Sequence, residues 1–188
     1  MDRRKFCLSS AAAAISGAAG LACLPAAVVP TFPLYQFIYD RRYSAGRAFG
    51  VAAESLRAGI VAIDGDITAL WSRELRARWS AAGGAIAGMT TARTLFCLEQ
   101  LAGDHWMRVV IRAEHSHGHE IAHRLTAAEP MICRMKSALT AQNWPAKMPN
   151  ALAAYQDDGA PRTTCVIGSK GRHGWAARDE MLVSFVIA

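Results

Sequence analysis

Leu34-Tyr35-Gln36-Phe37-Ile38-Tyr39, Ile60-Val61-Ala62-Ile63 and Ala85-Ile86-Ala87 are three short apolar runs. Each is followed at once by turn chemistry: Asp40-Arg41-Arg42, Asp64-Gly65-Asp66 and Gly88-Met89-Thr90-Thr91. Short runs rich in aliphatic and aromatic residues, closed by Asp and Gly, read as buried strands. Between them the spacing changes to steps of three and four. Ser44 suits an N-cap ahead of Phe49, Ala52, Ala53 and Leu56, and Gly59 suits the position just past a helix end. Ile67, Leu70, Trp71, Leu75 and Trp79 mark a second helix, and Leu95, Leu98 and Leu101 a third. Parallel strands need a crossover, and a crossover helix covers a face of the sheet. Three strand-and-helix units in succession therefore predict an α/β fold: three-layer, with a mostly parallel sheet of Rossmann-like topology.

Working outward, Val109-Val110-Ile111 supplies a fourth strand. Residues 108–115 and 120–127 both read as strand around a Ser116-His117-Gly118 turn, which adds an antiparallel hairpin. Pro130 and Pro149 suit the first turns of helices over 131–142 and 150–156. Residues 163–167 and 181–187 are strand-like, on either side of a Gly- and charge-rich loop at 168–174. With no repeat and no low-complexity tract, residues 28–188 read as a single α/β domain.

The N-terminal segment has a separate logic. Arg3-Arg4-Lys5 precedes residues 11–29, which carry no charge and are interrupted by Pro25, with Pro30 just beyond. The pattern Asp2-Arg3-Arg4-Lys5-Phe6-Cys7 resembles the twin-arginine (Tat) export signal of small bacterial proteins, with Cys7 where leucine is usual. The resemblance covers residues 1–27. It implies passage of a folded domain through the Tat translocation machinery and a periplasmic location, and it attaches no activity. Gly20-Leu21-Ala22-Cys23 lacks the aliphatic residue that lipoprotein sites carry three places before the cysteine. Small-residue cleavage near Ala22 or Ala26 is therefore favoured over lipid anchoring at Cys23.

Setting aside Arg3, Arg4, Lys5 and Asp2 leaves 18 basic and 14 acidic residues, scattered without a stripe. That balance gives no footprint for nucleic acid. Of the five cysteines, Cys97 lies in an apolar helical pattern and reads as a core residue, while Cys133 with Cys165 is the more plausible bridge. Trp71, Trp79, Trp106, Trp144 and Trp175 read as core anchors or interface residues. The mature chain has no dinucleotide or P-loop fingerprint, no Cys-x-x-Cys and no haem-attachment pattern. Ile167-Gly168-Ser169-Lys170-Gly171 is not a nucleophile elbow, because glycine directly precedes its serine.

Two constellations carry chemistry. His119-Glu120-Ile121-Ala122-His123 has the H-E-x-x-H pattern of zinc peptidases, which requires a helix to bring the two imidazoles onto one ion. Its flanks read as strands, where residues four apart are separated by about 13 Å, so a peptidase site is disfavoured. His115, His117, His119 and His123 still crowd one hairpin, a cluster able to hold zinc or copper; the favoured expectation is a solvated tip with imidazoles turned outward. The second constellation is the rim at the carboxyl ends of the strands, where ligands sit in open α/β sheets. It would gather Arg41, Arg42, Asp64, Asp66, Thr90, Thr91 and Arg93 around a small anionic ligand, with Gly88 admitting close approach. The functional expectation is an exported binding protein, or an accessory partner of another exported enzyme. The alternative is a metal-dependent hydrolase using the histidine cluster or Asp64 and Asp66.

Overall fold

The structure, a computed structural model, describes residues 34–117, 121–156, 159–169 and 181–188. The twin-arginine segment with Cys7 and Cys23, His119, Glu120 and Trp175 lie outside the described residues. Strands β1 (Leu34–Asp40), β2 (Gly59–Ile63) and β3 (Ala85–Thr91) alternate with helical segments, as the spacing predicts. Helix α1 (Ser44–Ala53) joins the first pair. Between β2 and β3 run α2 (Thr68–Leu70), a π-helical turn over Trp71–Leu75, and α3 (Arg76–Ala81). Helix α4 (Ala92–Gly103) leads to the hairpin of β4 (Val109–His117) and β5 (Ile121–Ala128). Helices α5 (Glu129–Leu139) and α6 (Trp144–Ala153) precede β6 (Arg162–Ser169) and β7 (Leu182–Ile187).

The seven strands form one sheet in the order β2-β1-β3-β7-β4-β5-β6. Its parallel part is confined to β2, β1 and β3. The remaining four pairings are antiparallel. The fold is thus α/β, but its sheet is mixed rather than mostly parallel. The reason is the last strand: β7 inserts between β3 and β4 and runs against both, so β3 never meets β4. No local pattern in residues 182–187 carries that placement.

Central position also explains β3. All seven of its residues are buried, and Gly88-Met89-Thr90-Thr91 continues the strand where the sequence suggested a turn. A Cβ on Gly88 would collide with the Ile38 carbonyl oxygen and come within 2.8 Å of the Phe185 ring. The glycine therefore serves strand packing against β1 and β7, and ligand access is not its role.

Alternation along the strands divides the core. Phe37, Ala87, Met89, Ala113, Leu125 and Val186 join Phe49 of α1, Met135 of α5 and Trp144 of α6 in one buried cluster. Ile38, Ile86, Val183 and Phe185 join Leu75, Trp79, Leu95 and Leu98 in another. Successive strand residues point to opposite faces, which is why neighbouring residues such as Phe37 and Ile38 fall in different clusters.

Three further expectations change. Helix α6 starts at Trp144 with Pro145 in its first turn and holds Pro149 inside, because Pro145, not Pro149, sits where the missing amide is harmless. Cys97, Cys133 and Cys165 are free thiols, and Cys97 is exposed. Leu95, Leu98 and Ala102 take the buried stripe of α4 and turn residue 97 outward. Among the described residues no helix is long and apolar enough to cross a membrane.

Candidate functional site

Because β1, β2 and β3 are parallel, their carboxyl ends share one edge of the sheet. Strand β1 has β2 on one side and β3 on the other, so the strand order reverses between β1 and β3, the position on this edge where open α/β sheets take ligands. The rim residues read from sequence do gather there, and most have partners within the protein.

Asp40, the last residue of β1, has a fully buried carboxylate. Arg42 Nη2 donates to its Oδ2 at 2.7 Å, Arg42 Nε to its Oδ1 at 3.0 Å, and the Arg42 amide to Oδ1 at 3.1 Å. Gly65 has φ of 95° and lies so close that a Cβ would press into the Arg42 guanidinium. That glycine is required both by backbone conformation and by the arginine beside it. Arg42 is thus a positioning element of the rim. Arg41 Nη2 donates to Asp64 Oδ2 at 3.1 Å with both side chains more than half exposed, a pair of little net strength.

Side chains hold the backbone where α2 and α4 begin, whereas α1 has no side-chain cap. Asp66 Oδ1 accepts the Thr68 amide at 2.8 Å. That amide, with the Thr68 hydroxyl, holds the Asp66 carboxyl below the usual carboxylate range. Thr91 caps α4, its Oγ1 accepting from the Thr94 amide at 3.3 Å, while the Thr94 hydroxyl donates to the Gly65 carbonyl at 3.1 Å. The Thr90 hydroxyl is buried and donates to the Thr91 carbonyl. Arg93, exposed in the first turn of α4, has no carboxylate partner among the described residues. Of the seven rim residues, Arg93 and the weakly paired Arg41 remain available to an incoming anion.

A second group lies farther along the same edge. The register aligns Thr91 with Leu182, Leu182 with His115, and His115 with His123. Two strand spacings, about 10 Å, therefore separate the Cα atoms of Thr91 and His115. Far from being turned outward, the His115 and His123 side chains are fully buried, with 0% exposure. The alternation that sends Ala113 and Leu125 into the core sends these imidazoles the same way. Their Nδ1 atoms stand 2.8 Å apart, and His115 Nε2 lies 2.8 Å from Ser184 Oγ. The Trp144 indole covers the pair, its centroid 4.1 Å from the His115 ring and 4.8 Å from the His123 ring.

One proton between the two Nδ1 atoms fixes the polarity of the whole chain. Either Ser184 donates to His115 and His115 to His123, or the donation runs in reverse. Passing from one polarity to the other also requires a proton gained at His115 Nε2 and one lost from His123 Nε2, so the row orients the two imidazoles, and a single transfer between the Nδ1 atoms does not invert it. Ser184 is the residue that sequence reasoning missed, because it sits in an apolar strand with no local marker. Asp40 belongs to the expected rim, and its burial against Arg42 is what the sequence did not show.

His117 ends β4. Among the described residues no three of His, Cys, Asp and Glu come together to hold a metal ion. Compared with known protein families, with curated proteins and with solved structures, the chain matches none of them.

Proposed function

We propose that this is a periplasmic protein, delivered folded through the twin-arginine route, whose domain binds a small anionic ligand at the carboxyl ends of β1 and β3, on its own or as an accessory partner of another exported enzyme. The observation that carries the reading is the reversal of strand order about β1. It places an uncommitted arginine, Arg93, at the start of a capped twelve-residue helix beside the weakly held Arg41. The fold is read here as three-layer and Rossmann-like in its first three strands; the two buried clusters and the β2-β1-β3 order support that reading. Titration calorimetry of the full chain against small carboxylates and phosphates tests it. The expected result is a saturable ligand whose affinity falls about tenfold or more on Arg93→Ala, the worth of one charge-assisted contact. Absence of any ligand, or one indifferent to both Arg93→Ala and Arg41→Ala, overturns it. Export is tested separately, by retention of the chain in the cytoplasm when Arg3 and Arg4 are both replaced by lysine.

One observation favours a second reading, a metal-dependent hydrolase built on the histidine pair. His115 and His123 aim their Nδ1 atoms at one point, and the Ser184 hydroxyl holds the far nitrogen of His115, the way an outer-shell partner orients a metal ligand. A tetrahedral zinc with Zn–N of about 2.0–2.1 Å needs its nitrogens about 3.3 Å apart, so the pair would open by about half an ångström. Asp64 and Asp66 contribute less, being engaged by Arg41 and by Thr68. Metal analysis of protein purified without chelator decides it: less than about a tenth of an equivalent of zinc, iron or copper removes this reading.

A further inference from the structure

Trp106 is the most exposed large apolar residue among the described residues, at 97%, and it is also their one non-glycine residue with positive φ, 61°. The position demands that conformation. The Trp106 amide donates to the Gly103 carbonyl and the Met107 amide to the Ala102 carbonyl at 3.1 Å, closing the end of α4 so that Met107 turns back into the core. Glycine is the ordinary occupant of such a site, because an L side chain there crowds its own backbone. A tryptophan in that place is strained and its ring is left in water. Neither cost is recovered within the protein.

The surroundings indicate what recovers it. Beyond its rim end, the outward stripe of α4 runs Phe96, Cys97, Gln100 and Gly103, with Phe96 59% exposed and no carboxylate before Asp104. Glu99 faces aside and is held by Arg112 at 3.1 Å. Next to Trp106, His105 packs against Trp71 at 5.6 Å and Trp79 at 6.2 Å, which seats the end of α4 against the π-helical turn and α3. That neighbouring segment carries Arg73, Arg76 and Arg78 against the single acid Glu74, whose Oε2 accepts from Gln36. Neither Arg73 nor Arg76 has a carboxylate partner among the described residues.

From this we infer that the outer face of α4, with Trp106 as its anchor, docks on an anionic lipid surface. An exposed indole and phenyl ring supply the amphipathic insertion that suits the headgroup boundary, and the guanidiniums alongside supply attraction to negative headgroups. The face is separate from the strand-end rim, since α4 begins at the rim and ends at the opposite edge of the sheet with Trp106. Docking there leaves the rim open.

The test is co-sedimentation of the full chain with vesicles of pure phosphatidylcholine and of phosphatidylcholine with phosphatidylglycerol, comparing wild type, Trp106→Gly, and the pair Arg73→Gln with Arg76→Gln. Any contribution of the N-terminal apolar segment is common to all and cancels. The expected result is preference for the anionic vesicles, weakened about tenfold by either variant and by raised salt, with brominated acyl chains quenching an emission component that Trp106→Gly lacks. Trp106→Gly should meanwhile keep or raise the melting temperature, by about 2–4 °C, which separates lost docking from lost folding. Equal binding by Trp106→Gly, or equal binding to neutral vesicles, overturns the inference. So does a self-association in sedimentation that the glycine variant abolishes, which would assign the face to a second copy of the chain.

Discussion

The buried imidazole pair makes the sharpest quantitative prediction. Replacing His123 by leucine removes the partner of His115 Nδ1 at 2.8 Å within a fully buried site. A lost neutral hydrogen bond costs about 1 kcal/mol and a buried nitrogen left without its partner about 1–3 more, partly offset by the apolar gain of leucine, so His123→Leu should cost about 2 kcal/mol. His115→Leu breaks two contacts, to His123 and to Ser184, and should cost about 3 kcal/mol. The double variant removes both partners of the shared proton at once, so neither Nδ1 is left facing an apolar side chain, and the Ser184 hydroxyl resettles. It should cost about 2 kcal/mol, no more than the single His123 change. The cycle thus predicts a coupling of about 3 kcal/mol, within the range for residues in direct contact. Urea unfolding of the four proteins at neutral pH, with chelator present, measures it. Additivity within about 0.5 kcal/mol would refute the shared-proton account. A coupling that grows when zinc replaces chelator would instead favour the metal reading.

Other consequences are simpler. Asp40→Asn keeps the shape of a buried carboxylate but removes the charge that Arg42 Nη2 and Nε donate to, and should cost about 2 kcal/mol in thermal or chemical unfolding. Gly88→Ala presses a methyl into the Ile38 carbonyl and the Phe185 ring; a loss of about 2–4 kcal/mol, or failure to accumulate folded protein, is expected, and an unchanged midpoint would contradict the β1-β3-β7 packing. Burial first, and then Glu74, pushes the Tyr35 phenol up from 10.0 to about 12. The folded state holds that proton more tightly than the unfolded chain. Its contribution is therefore fully present below pH 10 and lost between pH 10 and about 12, which phenolate absorbance and unfolding across that window should both show. Asp66 has the opposite sign. Its carboxyl is held low by Thr68, so its contribution is present above the ordinary carboxylate range and lost as pH falls through the lowered value, and Asp66→Asn should abolish that part of the acid dependence.

Much of the α/β alternation was legible because it rests on local chemistry. Phe37, Ile38, Phe49, Leu75, Leu95 and Leu98 fall at strand and helix spacing, and each is buried where that spacing predicts. The strands of the hairpin, 109–117 and 121–128, were legible for the same reason, and with them the placement of His123 on a strand rather than a helix. The rim was legible as a location, since parallel strands must end on one edge. Which rim residues are free was not, because pairing such as Asp40 with Arg42 depends on side-chain reach and burial rather than on residue type.

By itself, then, the sequence determined the order and kind of the elements through apolar period, capping and turn residues, all of which act over a few neighbours. Only the tertiary structure decided the mixed sheet, the inward turn of His115 and His123, and the exposure of Trp106. Each follows from β7 entering between β3 and β4 or from how α4 ends against the core. Contacts between residues as distant as Ser184 and His115 are chosen by competition among all strand pairings at once, and no local pattern records the outcome.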